Sequence, residues 1–408
     1  MNILLIAFAC EPNKGSEEGV GWNWAINLAK KHKVYVITRG QEQEFIEKNS
    51  TKEERENIEF FYFEDKAFMH IIDKKIPYGF RIYYKWWQKK IVPIAERIIS
   101  EYNIDIIHQL TYNEYRTPGK LYEMGIPFVW GPIGGGHEYN PKLKEAYFSV
   151  FDVLKEIIRK KMNHWYLREK DVVGALKKAS SVIVADPATL SILPKNRVYE
   201  RLLETAYYSE RNEIKNYSEL SSSKKIHLLY AGVMQPRKGL KIIFDALGEC
   251  DFRDFELVMI GEGSERKKLE KLAHKYGMDA NVRFTGKLAY DEVNNYYDWA
   301  DLFLFPSLRD TSGNVILEAM SHGTPVIALN HNGASEMITL DCGELIDIKS
   351  YKQVKQEFVS LIIKYYKNRE LEEQKGLLAR KRVEEVYSWE RTMCFIDSIY
   401  RKAIEEEI

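Results

Sequence analysis

Short apolar runs rich in Val, Ile, Leu and Phe alternate along this chain with longer stretches in which apolar residues return every three or four positions. Runs of the first kind read as strands buried on both faces, and the longer stretches read as helices covering them. The pattern predicts an α/β chain with parallel sheets. In the first half the expected strands are 3–8, 34–38, 58–63, 104–108, 128–130 and 181–185, with a helix such as 21–31 carrying Trp22, Ala25, Leu28 and Ala29 on one face. The pattern then restarts. Strands are expected at 226–231, 255–260, 282–285, 302–306, 325–329 and 343–346, with helices at 239–247, 264–276, 291–299 and 315–322, and a helical tail from 365 to 408.

Between the halves, residues 207–225 are polar and aperiodic, which reads as an interdomain linker. The expected organisation is therefore a Rossmann-like domain over 1–206, a second over 207–389, and a C-terminal helix, 390–408, packing back on the first. A length of 408 residues suits two cores better than one.

Composition narrows the class. With 45% hydrophobic and 29% charged residues the chain is globular rather than disordered. Lys plus Arg equal Asp plus Glu at 60 each, so wholesale attraction to nucleic acid is not expected and any anion site must be local. Cys10, Cys250, Cys342 and Cys394 are scattered without a CxxC pair, which argues against zinc and disulfides and fits a reducing, cytoplasmic setting. No apolar run approaches the roughly 20 residues of a membrane helix, and residues 3–10 read as a buried first strand rather than a signal segment.

Three strand-to-helix junctions of the second half carry candidate chemistry. Around Gly232, a strand exit is followed by Arg237, Lys238 and Gly239; the glycine lets the chain turn, and two cations stand near a helix start that itself favours anions. A solvated turn is the plainer reading. At Gly261–Gly263 a second strand exit reads Gly-x-Gly, with Ser264 a candidate helix cap. The third, Phe305 to Gly323, sets Asp310, Ser312 and Gly313 before a helix beginning at Asn314 and Val315, with Glu318 one turn inside. Two carboxylates that accept paired hydroxyl hydrogen bonds suit a sugar, and amides near Gly313 suit phosphate oxygens. The alternative is an ordinary cap and an ordinary helix acid. Cations, amides and carboxylates at the carboxyl ends of neighbouring strands describe a nucleotide-sugar or phospho-sugar site.

The stretches IGEGSERKKLEKL, NVRFTGKL, WADLFLFPS, NVILEAMSHGTPVIA and GASEMI, in this order, resemble the retaining GT-B glycosyltransferases of family 4. That resemblance implies two Rossmann-like domains facing each other across a cleft and a hexose-type transfer from a UDP- or GDP-linked sugar, without cofactor or metal. It puts Glu318 on the ribose hydroxyls, Asp310 on the donor sugar where the family usually has a glutamate, and Lys238 on the diphosphate. The family's usual arginine after the first glycine is Val233 here, and Arg237 is the candidate substitute. Leu288 resembles the position beside the nucleobase. In the first half, Gly15-Ser16 begins a loop similar to the family's donor-facing glycine loop, and His108 matches the first of two alternate histidines, the second being Leu110. Gly135 and His137 lie in a glycine-rich segment that looks like an acceptor-side signature.

The acceptor implied is a glycan or a lipid-linked sugar, in polysaccharide or glycolipid synthesis. The basic aromatic stretches 81–90 and 159–166 suit a peripheral contact with the inner face of an anionic membrane, or else are amphipathic helices with buried aromatics. Rival readings are a sugar-nucleotide epimerase or phosphorylase on the same plan, and a catalytically degenerate sugar-nucleotide-binding subunit. The loop after the first strand does not read Gly-x-Gly-x-x-Gly, which disfavours a nicotinamide dehydrogenase.

Overall fold

The computed structural model describes residues 1–66, 68–69, 71–72, 79–207, 215–217 and 223–406. These divide into two compact units: unit 1 comprises 1–136, 162–205 and 389–408, and unit 2 comprises 137–161 and 206–388. Residues 137–161 thus pack with the second unit, although they precede residue 206 in the chain.

Along the chain run β1 (Asn2–Ala7), α1 (Ser16–Ala29), β2 (Lys33–Arg39), α2 (Gln43–Asn49), β3 (Ile58–Phe63), α3 (Gly79–Lys90), α4 (Val92–Glu101), β4 (Ile106–Thr111) and β5 (Phe128–Ile133). Then come α5 (Val150–Tyr166), α6 (Lys170–Lys178), β6 (Ser181–Val184), α7 (Pro187–Ile192) and the two-residue β7 (Glu200–Arg201). The unit 1 sheet is parallel, in the order β3-β2-β1-β4-β5-β6-β7. Its strands β1, β4 and β5 are almost fully buried, as continuous apolar runs require when helices cover both faces.

The C-terminal helix, Trp389–Glu405, belongs to unit 1: its Tyr400 hydroxyl meets the ring of His108 at 2.6 Å, and its Asp397 meets His32 at 2.7 Å. Helix α3, the first of the basic aromatic stretches, turns Tyr83, Tyr84 and Trp87 into the core around Phe8. That stretch is a core helix rather than a membrane-facing one.

Unit 2 continues with β8 (Ile226–Ala231), α8 (Lys241–Gly248), β9 (Phe255–Ile260), α9 (Arg266–Lys275), β10 (Val282–Gly286), α10 (Tyr290–Trp299), β11 (Leu302–Phe305), α11 (Asn314–Ser321), β12 (Val326–Leu329), α12 (Ala334–Met337), β13 (Gly343–Ile346), α13 (Tyr351–Lys367) and α14 (Glu370–Val386). Its parallel sheet has the order β10-β9-β8-β11-β12-β13. Strand order reverses between β8 and β11, and between β1 and β4 in unit 1. At such a switch the flanking connections leave in opposite directions and open a crevice at the carboxyl ends of the strands.

Of the expected linker, 208–214 and 218–222 lie outside the described residues. The part between them is packed rather than solvated. Lys215 is buried in unit 2, paired with Glu372 at 3.1 Å and donating to the Thr324 hydroxyl at 2.9 Å, and the Tyr217 hydroxyl donates to the Gly323 carbonyl at 2.8 Å. Among the described residues no helix is long and apolar enough to cross a membrane.

Candidate functional site

The loops that follow β8 and β11 meet at the switch point of the unit 2 sheet. After β8 the chain passes Gly232, makes one 3-10 turn at Pro236–Lys238, and reverses at Gly239, whose φ is 63° and where an added Cβ would stand 2.4 Å from the Pro306 carbonyl oxygen. A side chain there is excluded twice over, by conformation and by space. This close approach sets Arg237 and Lys238 against the loop after β11.

Asp310 of that loop accepts from three donors. Arg237 Nη1 reaches its Oδ1 at 2.8 Å, Ser307 Oγ reaches Oδ2 at 3.0 Å, and Lys238 Nζ closes a short contact to the same Oδ2. Burial alone would raise the Asp310 carboxyl; Lys238 and Arg237 outweigh it and hold the group well below the ordinary carboxylate range. Burial pushes the Lys238 ammonium down, against the pull of Asp310. With three donors converging on one carboxylate, Asp310 is an anion at neutral pH.

His331 donates from Nε2 to the Ser307 carbonyl at 2.8 Å, fixing the turn that presents Asp310; burial keeps its ring neutral. Arg309, next in line, pairs at 3.0 Å with Glu156 of α5.

Gly313, at φ 70°, leads into α11, and its missing side chain leaves room for the Phe305 ring, 2.6 Å from where a Cβ would stand. No side chain caps the first turn of α11; Ser312 turns its hydroxyl to Asn314 Oδ1 at 3.0 Å. Val315 and Asn314 are half-buried beside it. One turn inside, Glu318 accepts from the Tyr297 hydroxyl at 2.8 Å. Burial raises its carboxyl, with the Tyr297 bond opposing. The sequence pattern missed Tyr297, Ser307 and His331: Ser307 ends the stretch WADLFLFPS without a role being read for it, the other two stand beside quoted stretches, and only the fold reveals their bonds.

The other glycines play a different part from the one expected. Gly232 gives its amide to the Ile260 carbonyl at 3.0 Å, and Gly261 gives its amide to Gly286 at 2.8 Å. A Cβ on Gly261 would stand 2.0 Å from the Gly232 carbonyl oxygen, and one on Gly263 would stand 2.2 Å from that of Met234. These residues let the loops after β8 and β9 press together, and the amides of Gly232 and Gly261 are spent on that packing rather than bare. Leu288 is half-buried beyond β10.

The sequence pattern of the family described as "Glycosyl transferases group 1" matches residues 211–382, which span this whole site. Over these residues, 42% of the chain, the sequence is similar to the group 1 glycosyl transferases.

A relative in Mycobacterium tuberculosis, GDP-mannose-dependent alpha-(1-6)-phosphatidylinositol monomannoside mannosyltransferase, is 35% identical over 138 residues, covering 31% of this chain and 36% of that protein. The chain spans between 21 and 47% of the first curated relatives it matches. Among solved structures, sucrose-phosphate synthase from Thermosynechococcus elongatus superposes with a TM-score of 0.66 at 17% identity, covering 99% of both chains. HepE of Anabaena, in complex with UDP and glucose, gives 0.63 at 17% identity over 100% of this chain and 99% of that one. The fold is therefore GT-B.

In unit 1, His108 is fully buried. Its two nitrogens are taken by the Tyr400 hydroxyl and by the Gly131 carbonyl, each at 2.6 Å, and burial pushes the ring down to about 4. Both ring nitrogens are thus engaged inside the core of unit 1. Gly15 leads into α1 with open space where a side chain would be, whereas Gly19 and Gly21 are required because a Cβ would collide with the carbonyls of Lys14 and Ala9. Ser16 starts α1; its side chain lies outside the described residues.

At the next position, sequence reasoning passed over Glu17: burial, then the neighbouring charge of Glu204, pushes its carboxyl up to about 8. The signal was the unusual pair of acids, Glu17 and Glu18, inside a glycine loop. Gly135, at φ 91°, lies against the guanidinium of Arg116, which donates to its carbonyl. His137 is buried in unit 2, and its carbonyl accepts from Arg159 at 2.5 Å. Among the described residues no group of three or more His, Cys, Asp or Glu is placed to hold a metal ion.

Proposed function

We propose that this chain transfers a hexose-type sugar, with retention and without a metal, from a UDP- or GDP-linked donor to a glycan or lipid-linked acceptor. The observation that carries the reading is Asp310 bridging Lys238 and Arg237 in front of the uncapped first turn of α11. Two cations beside a helix start at a switch point suit a diphosphate. A GDP-mannose-dependent relative and a structural neighbour in complex with UDP and glucose support the same class.

In this reading Lys238 and Arg237 take the charge that develops on the departing diphosphate, a preorganised electrostatic role. Glu318, held in place by Tyr297, accepts hydroxyl hydrogen bonds of the ribose, and Asp310 turns to the sugar once the phosphates have claimed its cations.

Thermal-shift screening with uridine- and guanosine-diphosphate sugars should give one donor that raises the melting temperature by mass action. With that donor, Lys238→Ala and Glu318→Ala should each slow transfer at least ~10-fold, about 1.4 kcal/mol in the barrier, while the variants stay folded. Unchanged turnover in both variants defeats the reading. Donor binding without transfer to any acceptor, or consumption of donor that needs only phosphate or no acceptor, would turn it toward a binding subunit or an epimerase or phosphorylase.

A further inference from the structure

Helix α5 wears its amphipathicity inside out. Its inner face sets a few core contacts, Val153, Met162 and Tyr166, around a polar centre: Glu156 is buried between Arg159 and Arg309, at 2.9 and 3.0 Å, and Asn163 is buried against Arg116 at 2.7 Å. Its outer face is apolar. Phe151, Leu154, Ile158 and Trp165 recur at steps of three, four and seven residues, which stacks them in one row, and all four are exposed, Phe151 to 75% and Trp165 to 60%. Val150 and Ile157 widen the strip. A helix normally buries such a row, and a contiguous apolar strip left in water marks a surface awaiting a partner.

The charges around the strip say which partner. At 100° per residue, Lys155 and Lys161 lie about 60° to either side of Ile158, so the apolar row runs between two exposed lysines. Lys160 is exposed as well, and pairs with Glu138 of the preceding loop at 2.7 Å. The helix's acids, Asp152 and Glu156, are turned away from the strip; only the 3.4 Å contact of Lys155 with Asp152 crosses between faces, and at such exposure it is weak. Two copies of this helix packed face to face would set lysine edge against lysine edge, with no acid available to compensate. An anionic lipid surface meets both features at once: the row sinks to the acyl boundary, and the lysines reach up to the phosphates.

We propose that the outer face of α5 seats this protein on anionic membranes. The inference does not rest on the donor-site reading. Of the second basic aromatic stretch, 159–166, only Trp165 faces outward as an aromatic, while Tyr166 is buried; the seat lies mainly upstream, from Phe151 to Lys161. Glu156 gives it a tie to the site, since its partner Arg309 adjoins Asp310.

The test is co-sedimentation of the full chain with vesicles of phosphatidylcholine and phosphatidylglycerol in equal amounts, against vesicles of phosphatidylcholine alone. Wild type should partition onto the anionic vesicles at least ~10-fold better, and Phe151→Glu together with Ile158→Glu should abolish that binding. Lys155→Glu with Lys161→Glu should remove the preference for anionic lipid. Both positions of each pair are exposed, so the variants should melt with the wild type and keep its thermal shift with a bound nucleotide sugar, which separates loss of the seat from loss of the donor site. Equal partitioning on both kinds of vesicle overturns the proposal. So does a double glutamate variant that still sediments, or a wild-type dimer that Ile158→Glu turns into a monomer without any vesicle binding.

Discussion

Replacing Asp310 with Asn separates two roles that an ordinary loss-of-function variant would merge. In the structure the Asp310 carboxylate occupies the cations that the proposal assigns to the diphosphate: Arg237 at 2.8 Å and Lys238 in closer contact. A donor must displace it before the phosphates can bind. Asparagine keeps the size and the Ser307 hydrogen bond but removes the charge, so the diphosphate no longer competes with a resident anion. A charge-assisted hydrogen bond is worth about 1.5–3 kcal/mol net. The lower end applies here, because the side chain of Arg237 is 28% exposed and partly screened.

The expected gain for a bare nucleoside diphosphate is therefore roughly 1.4 kcal/mol, or about tenfold in Kd. Without ligand the variant leaves two neighbouring cations uncompensated, which costs about 1–3 kcal/mol of stability. Transfer from the full donor should nevertheless slow at least ~10-fold, because the acid is missing from the sugar. Isothermal titration with UDP and GDP reads the first effect, a melting curve without ligand the second, and product formation the third. Diphosphate affinity that falls together with turnover would refute the reasoning, because Asp310 would then organise the cations rather than compete for them.

Two further expectations concern stability. Glu17, pushed up to about 8, stays protonated in the fold while the unfolded chain ionises near 4.5, so the native state binds the extra proton and its stability declines as pH rises from about 4.5 to 8; Glu17→Gln should raise the melting temperature at pH 8 more than at pH 5, and an equal change at both would contradict the assignment. Lys215→Ala strands the buried Glu372 without its 3.1 Å partner and should cost about 3–5 kcal/mol, measured by urea unfolding; Lys215→Met with Glu372→Leu should recover much of it.

How much of this was legible in the sequence depends on how local each cause is. The strands were legible because a parallel strand covered on both faces must be apolar throughout, as in Ile226–Ala231 or Phe255–Ile260, and neither needs knowledge of its neighbours. The meeting of Asp310 with Lys238 was not legible in that way. They lie 72 positions apart, and they meet only because β11 pairs with β8. No pattern within either segment states that strand order, so only family resemblance could join them beforehand.

The glycines failed for the converse reason. A missing side chain shows that something comes close but not what, and at Gly261 it is the Gly232 carbonyl rather than a phosphate. His108 likewise sat in a suggestive motif, yet its neighbours Tyr400 and Gly131 arrive from 292 and 23 residues away. Helix α5 is the sharpest case. Its apolar periodicity predicts a buried row, and the rule inverts because Glu156, Arg159 and Asn163 find partners inward, leaving Phe151, Leu154 and Ile158 to face out. Periodicity locates the two faces of a helix; the partners of its polar residues decide which one is buried.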